Sequence, residues 1–596
     1  MSMNMNTNMG TTVYWHKNQV ISRLKLQLTH SSSVEHIDDV IRIFRTHDPI
    51  KAVLKDLPVP IDVRLIDVQH LCPPDTGGNA DLVVYHRINP GTPPQSDMES
   101  MQGNDDHTLA VVNQINNSKA VHIAALKEKF NSDEFKKEFK KEFNSDEFTV
   151  DDLDLDALPH WLNAGTPDTI QGCPISPPIP VEKSGATGWW KLQFSHLPDS
   201  LQEATGKGVT VLVLDTLPAP DQISRAAEQA GSSNMLLQKM ANGMRWEEPF
   251  NAVPPAINCK PQFIADVVEG TPSERVVTGK DIYGRHVGFP MEDHGLFIAG
   301  ILRDLAPEAN IECIRVLNDS GVGDISTLNA ALKKIYHRVE SGGDLYQKPV
   351  VINLSLVVLP PEDDIPEGVT NATLTASQHL LYTLIQCLAD QGAIFVAAAG
   401  NDSDPRMNAS EKRFGPRYPA ALACDDHKMT AMISVGAVNR NRDAAVYSNY
   451  PGTNGVASYG GDLPKPDPWL PSAMKHVVAH VDTTHPIDAL YGVYTAAQCP
   501  ALSKNDPDSE YPVPNSKAWA YWSGTSFATP IISALAARVL QGQDPKSVDV
   551  REVILDAAMD EVMWTTVGVD GQDIPGPMIM AEQAWFPPVD PLNPNQ

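Results

Sequence analysis

The stretch Val209-Thr210-Val211-Leu212-Val213-Leu214-Asp215 (VTVLVLD) decides the reading of the fold. An unbroken apolar run rich in β-branched residues predicts a strand buried on both faces, and such strands belong to parallel sheets covered by helices. The carboxylate that closes the run stands at the carboxyl tip of its strand. In open α/β sheets that edge is where ligands bind.

The pattern repeats on the C-terminal side. Ile311–Leu317, Val350–Leu354, Ala393–Ala398 and Met432–Val438 read as further strands. Helical periodicity marks His294–Arg303, a helix capped by Asp324 and running to Val339, Thr375–Gln391 and Phe527–Gln541. The alternation predicts an α/β domain over residues 183–596, a mostly parallel sheet with helices on both faces. Insertions are expected near 217–285 and 464–515, decorating the substrate face or the rim.

A small α+β domain is expected before it, over residues 1–125. Its strands are read at Val20–Leu28, Ile61–Val68 and Leu82–His86, and its helix at Val34–Arg45 behind a Ser31–Ser33 cap. Residues 126–182 read as a charged and Pro-rich linker, with FNSDEF duplicated at Phe130–Phe135 and Phe143–Phe148.

Four residues carry chemistry. Asp215 is placed to hold an imidazole tautomer and balance an imidazolium, although a strand-end Asp also serves as a turn or cap residue. His294, in EDHGLFIAGIL, opens a helix; Gly295 removes bulk beside the ring and Gly300 is expected to permit close helix packing. Ser526, in SGTSFATPIISALAARVL (Ser523–Leu540), begins a long apolar helix whose unpaired N–H groups favour an oxyanion. Pro530 is read in the first turn, where a missing N–H costs little. Asn401, after IFVAAAG, presents an amide suited to the same oxyanion, or forms a turn.

LDT, DHGLFIAGI, AAAGN and SGTSFATP, in that order, resemble the four signature blocks of the subtilase family. INLSL at Ile352–Leu356 resembles its substrate-binding strand, and YSNYPGTNGVASYGGDL from Tyr447 its stretch before the nucleophile. The Asp…His…Ser order separates these blocks from chymotrypsin-like and α/β-hydrolase triads. The resemblance covers about Gly206 to Ala558. It implies a subtilisin-like fold and a serine endopeptidase: Ser526 as nucleophile, His294 as general base, Asp215 orienting it, Asn401 and the Ser526 N–H as oxyanion donors. The substrate would be a protein or peptide, and no cofactor is required. Calcium accompanies many members, yet no dense carboxylate loop of the EF-hand kind occurs here.

The family's primary specificity pocket maps onto Leu354, Ser355, Leu356 and Val357 on one wall and Ala398, Ala399 and Gly400 on the other, with Arg417 at or near the base. Val357 stands where the family usually has glycine. DTLP and HGLF also depart from the commoner patterns, which bears on specificity more than on activity. An Arg417 in need of an anion would favour Asp or Glu before the cut; the competing reading pairs it with an internal acid such as Asp425 or Asp426.

The chain of 596 residues carries 74 acidic against 46 basic residues, a net charge of −28, which argues against nucleic acid or an anionic membrane as partner. Seven scattered cysteines without C-x-x-C spacing read as reduced thiols. The polar N-terminus has no secretory h-region, and no apolar run spans a bilayer, so a cytoplasmic location is expected. The N-terminal unit resembles subtilase propeptides in size and texture. It is expected to restrain the peptidase domain or to bind a regulatory partner, as in a signalling or defence assembly. A catalytically silent binding module is the remaining alternative.

Overall fold

The computed structural model describes residues 15–28, 61–70, 79–90, 132–134, 136–137, 150–164, 179–180, 189–246, 257–260, 279–280, 286–287, 291–317, 321–357, 371–403, 413–424, 429–462, 488–499, 513–558, 560–567 and 572–586. The chain divides into two compact units, residues 1–162 with 360–387, and 163–359 with 388–596.

The first unit holds β1 (Trp15–Leu28), β2 (Ile61–His70), β3 (Asn79–Pro90) and β4 (Val150–Ala164). They pair antiparallel in the order β4-β1-β3-β2, with Leu24 opposite Leu82 on one side and Leu155 on the other. Leu82 and Val84 are fully buried. β1, β2 and β3 fall where periodicity put them; the helix read at Val34–Arg45 lies outside the described residues. β4 lies inside the stretch read as linker. Its Leu153, Leu155 and Ala157 alternate with Asp152, Asp154 and Asp156, a period-two signal hidden by the acidic composition.

The second unit is built on one sheet of ten strands. Its members are β5 (Thr210–Asp215), β6 (Met244–Trp246), β7 (Ile257–Lys260), β8 (Asn310–Arg315), β9 (Val350–Leu354), β10 (Ala393–Ala398), β11 (Met432–Val438) and β12 (Val456–Tyr459). After the separate hairpin strands β13 (Leu490–Val493) and β14 (Trp519–Trp522) come β15 (Asp560–Val567) and β16 (Gln572–Ile579). The sheet order is β15-β16-β12-β11-β10-β9-β5-β8-β7-β6, parallel except for the β15–β16 edge. β6 and β7, inside the expected first insertion, extend the sheet; strands this short carry too few residues to show a period.

Helices among the described residues include α1 (Pro220–Ala230), α2 (Met235–Gly243), α3 (His294–Leu305), α4 (Ile325–Val339) and α6 (Thr525–Leu540) in the second unit, and α5 (Asn371–Asp390), most of which belongs to the first. Val211 and Val213 of β5 join a core cluster with residues of α3 and α6. Leu212 and Leu214, on the opposite face of the same strand, are equally buried, so the sheet is covered on both sides. In α6 every residue except Arg538 is buried, as expected of a helix apolar all round. Arg538 donates to the carbonyl of Leu305 at 2.7 Å and lies 4.9 Å from the Phe194 ring, joining the end of α3 to α6.

Cys387 is disulfide-bonded, which overturns the expectation of a reduced thiol at that position; Cys313 and Cys424 take part in no disulfide. Among the described residues no helix is long and apolar enough to cross a membrane.

Candidate active site

Because β5, β9 and β10 are parallel neighbours, their carboxyl ends share one edge. That edge carries Asp215, then Ser355 just past β9, and Asn401 just past β10. α3 and α6 bring His294 and Ser526 to it with their first turns.

Asp215 Oδ1 lies 2.8 Å from His294 Nδ1 and accepts the Thr216 N–H at 2.7 Å. With Nδ1 donating, Nε2 is the basic nitrogen. His294 Nε2 and Asp215 Oδ2 are buried and have no hydrogen-bond partner among the described residues. The imidazole is walled by Trp522, edge-on at 5.4 Å, and by Phe527, the neighbour of Ser526, at 5.1 Å. Gly295 has a physical reason: a Cβ there would collide with the Thr216 carbonyl and press on Asp215. Gly300 does not match its reading. A Cβ would meet Leu236 and Val493 at 3.6 Å, ordinary contact, so close packing does not require glycine.

Thr216 Oγ1 accepts the Gly295 N–H at 3.1 Å and lies 3.0 Å from the carbonyls of Met291 and Glu292, so it caps α3 beside the histidine. Sequence reasoning missed this role, although the threonine directly follows the carboxylate.

Ser526 Oγ donates to the Ser355 carbonyl at 3.4 Å. The helix begins at Thr525, which places Pro530 beyond the first turn, contrary to its reading. Its missing N–H would have served the Ser526 carbonyl, four residues back. Ser355 Oγ stands 2.8 Å from that carbonyl instead. Asn401 Oδ1 accepts from both the N–H (3.0 Å) and the hydroxyl (2.8 Å) of Thr525, which fixes the amide plane next to Ser526.

Gly400 adopts φ +115°, and a side chain there would strike Asn449 Nδ2, so the turn into Asn401 demands glycine. The walls read from sequence, Leu354, Ser355, Leu356, Val357, Ala398, Ala399 and Gly400, are all buried. Arg417 Nε donates to Asp402 Oδ2 at 2.8 Å, and Asn449 Nδ2 donates to the same oxygen at 2.7 Å. The arginine therefore has its anion inside the chain, and an acid preference resting on an unpaired Arg417 loses its premise. Asp402 supplies it; Asp425 and Asp426, named as partners from sequence, lie outside the described residues. Arg413 is a staple, donating to the carbonyls of Ala445 and Ser448 at 2.8 Å.

His294, Ser526 and Asn401 have no exposed surface and Asp215 is 1% exposed, so the constellation is closed.

The sequence model of the subtilase family matches residues 269–575, which include His294, Asn401 and Ser526 and begin after Asp215. A thermophilic serine proteinase of Bacillus sp. strain AK1 is 24% identical over 303 residues, 49% of this chain and 53% of that protein. The minor extracellular protease Epr of Bacillus subtilis strain 168 is 24% identical over 184 residues, 28% of this chain and 22% of that protein. This chain thus spans about half or less of each relative. Among solved structures, a cold-adapted subtilisin-like serine proteinase aligns at 16% identity and TM-score 0.31, covering 63% of this chain and 89% of its own. A protease from Pseudoalteromonas arctica aligns at 21% identity and TM-score 0.34, covering 64% and 89%.

Proposed function

Because the chain belongs to the subtilase family, we propose that it is a serine endopeptidase with Asp215, His294 and Ser526 as its triad. The observation that carries this reading is the buried 2.8 Å pair of Asp215 and His294 at the carboxyl edge of the sheet, against the first turn of the helix that holds Ser526.

In the proposed reaction Ser526 Oγ leaves the Ser355 carbonyl and turns towards His294 Nε2. Its proton passes to Nε2 as Oγ bonds to the scissile carbonyl carbon, and Asp215 balances the imidazolium. The Asn401 amide and the Ser526 N–H take the oxyanion. His294 then protonates the leaving amine, and water hydrolyses the acyl-enzyme through the same imidazole. Extended substrate pairs with the chain at Leu354–Leu356, along the pocket walled by Ser355–Val357 and Ala398–Gly400. No cofactor enters these steps.

We also propose that the chain is made restrained, with the N-terminal region holding the peptidase in check or binding a regulatory partner. The closed site supports restraint, since a peptide cannot reach Ser526 without a conformational change.

Fluorophosphonate labelling followed by peptide mapping tests the assignment. The label is expected on Ser526, with labelling and hydrolysis of a denatured protein lost in Ser526→Ala. A label elsewhere, or hydrolysis surviving in Ser526→Ala, overturns it. A correctly folded chain that neither labels nor hydrolyses after residues 1–162 are removed would favour a silent binding module.

A further inference from the structure

We infer that the Thr495 hydroxyl is a positioning group that joins the three chain segments bearing Asp215, His294 and Ser526; the inference rests on the protease reading given above.

Asp293 directly precedes His294 and occupies the N-cap of α3, yet its side chain makes no capping bond to its own helix. An aspartate there ordinarily accepts an N–H of the first turn. That duty has passed to Thr216, which takes the Gly295 N–H. The released Asp293 carboxylate points across to the segment after β13. Its Oδ1 accepts the Thr495 N–H at 2.8 Å and the Thr495 hydroxyl at 2.6 Å, and its Oδ2 accepts the Ala496 N–H at 2.9 Å.

Thr495 Oγ1 in turn accepts from Gln222 Nε2 at 3.1 Å. Gln222 sits in α1, the element that follows Asp215 in the chain. Thr495 itself follows β13, which pairs antiparallel with β14, Val493 opposite Trp519 and Leu490 opposite Trp522. β14 runs through Ser523 and Gly524 into α6 and Ser526. One hydroxyl therefore touches, through a single side chain on each side, the element after Asp215 and the residue before His294, while its own strand leads to Ser526.

The junction is firm. Asn515 Nδ2 donates to the carbonyls of Tyr494 at 2.7 Å and Ala496 at 3.1 Å, holding the segment from its other side. Asp293 has no exposed surface and Thr495 is 4% exposed, so the bonds to the carboxylate are desolvated. With water excluded, a donor lost there goes uncompensated. The consequence reaches the imidazole directly. Trp522, at the end of β14, is in edge contact with the His294 ring, so a slip of the β13–β14 hairpin against α3 displaces the ring relative to Ser526.

The test uses the full chain and two substitutions. Thr495→Val keeps the shape and both backbone donors but deprives Asp293 of its shortest bond and Gln222 of its acceptor. Thr495→Ser keeps the hydroxyl. Three readouts are taken: kcat and KM on a peptide substrate, the rate of fluorophosphonate labelling of Ser526, and the downfield proton resonance of His294 Nδ1–H. In Thr495→Val, kcat and the labelling rate are expected to fall on the order of ten- to a hundred-fold with KM little changed. The resonance should move, and Thr495→Ser should restore all three. A Thr495→Val protein that melts earlier yet keeps wild-type kcat, labelling and resonance overturns the inference. If the wild type neither hydrolyses nor labels at Ser526, with or without residues 1–162, the protease reading fails by itself, and the His294 resonance alone decides the positioning role.

Discussion

Ser355 Oγ lies 2.8 Å from the main-chain carbonyl of Ser526, and Ser526 Oγ lies 3.4 Å from the main-chain carbonyl of Ser355. The two residues are bound to each other twice, and Pro530 is the cause of one bond, since it leaves the Ser526 carbonyl without its helical donor. Ser355→Ala should therefore strand a buried acceptor and cost about 1–3 kcal/mol. Adding Pro530→Ala, which returns a helical N–H to the same carbonyl, should recover part of that loss. Urea unfolding of the two single variants and the double variant checks this. Strictly additive effects would show that the two substitutions act on different groups.

Much of this site was legible because its residues stand at element ends, and ends are where sequence signals concentrate. VTVLVL stops at Asp215, the helical period begins at His294, and the long apolar helix begins beside Ser526. What escaped were residues whose roles depend on a partner far along the chain. Asp293 looks like an ordinary N-cap until Thr495, 202 positions away, takes its side chain. Asp402 looks like one more turn residue until Arg417 and Asn449 converge on it. Pro530 was misplaced because the helix start was set by the apolar run, while the real start is where Asn401 receives the Thr525 N–H. β4 was missed because four acidic residues outweighed the leucines between them.

Asp402 and Arg417 form a buried pair, their side chains 3% and 9% exposed. Asp402→Asn should leave the guanidinium buried without its counter-charge and destabilise the fold by about 3 kcal/mol. A substrate carboxylate could then fill the vacated role. A peptide library is expected to show a gain for Asp or Glu before the cut in Asp402→Asn, absent from the wild type and from Arg417→Ala. An unchanged profile in Asp402→Asn would place Arg417 outside the pocket.

Glu312 lies in the central sheet with no exposed surface, and Arg338 of α4 reaches both its oxygens, at 2.9 and 2.8 Å, while also engaging Asp344. Arg338→Met should cost about 3–5 kcal/mol, because it abandons a buried carboxylate. Replacing Glu312 by Leu in the same chain should recover most of that, since an apolar pair of similar volume avoids the desolvation. Thermal unfolding of the single and double variants distinguishes this from simple additivity.

If the N-terminal region restrains the peptidase, removing residues 1–162 should raise both turnover and the labelling rate of Ser526. Circular dichroism on the truncated chain establishes that the remainder is folded. A folded truncation with unchanged rates would show that the restraint lies elsewhere in the chain.

Asp293 gives the pH dependence a sign. Burial, followed by repulsion from Glu292, raises its carboxyl from the usual 3.8 to about 7, against the pull of the Thr495 and Ala496 donors. The folded chain therefore holds this proton over a range where the unfolded chain has lost it. A group of this kind contributes its full stability below about pH 4, and the contribution is lost as pH rises through about 7. The whole swing is about 4 kcal/mol at most. Asp293→Asn removes the titration, and its new N–H group faces a donor of the 495–496 segment, so the variant is weaker at every pH. The informative quantity is the difference between wild type and variant. Measured by urea unfolding, it should be widest near pH 4 and narrow steadily towards pH 8. A difference that stays constant across that range, or widens with pH, would mean that Asp293 is ionised throughout and that its three donors outweigh its burial.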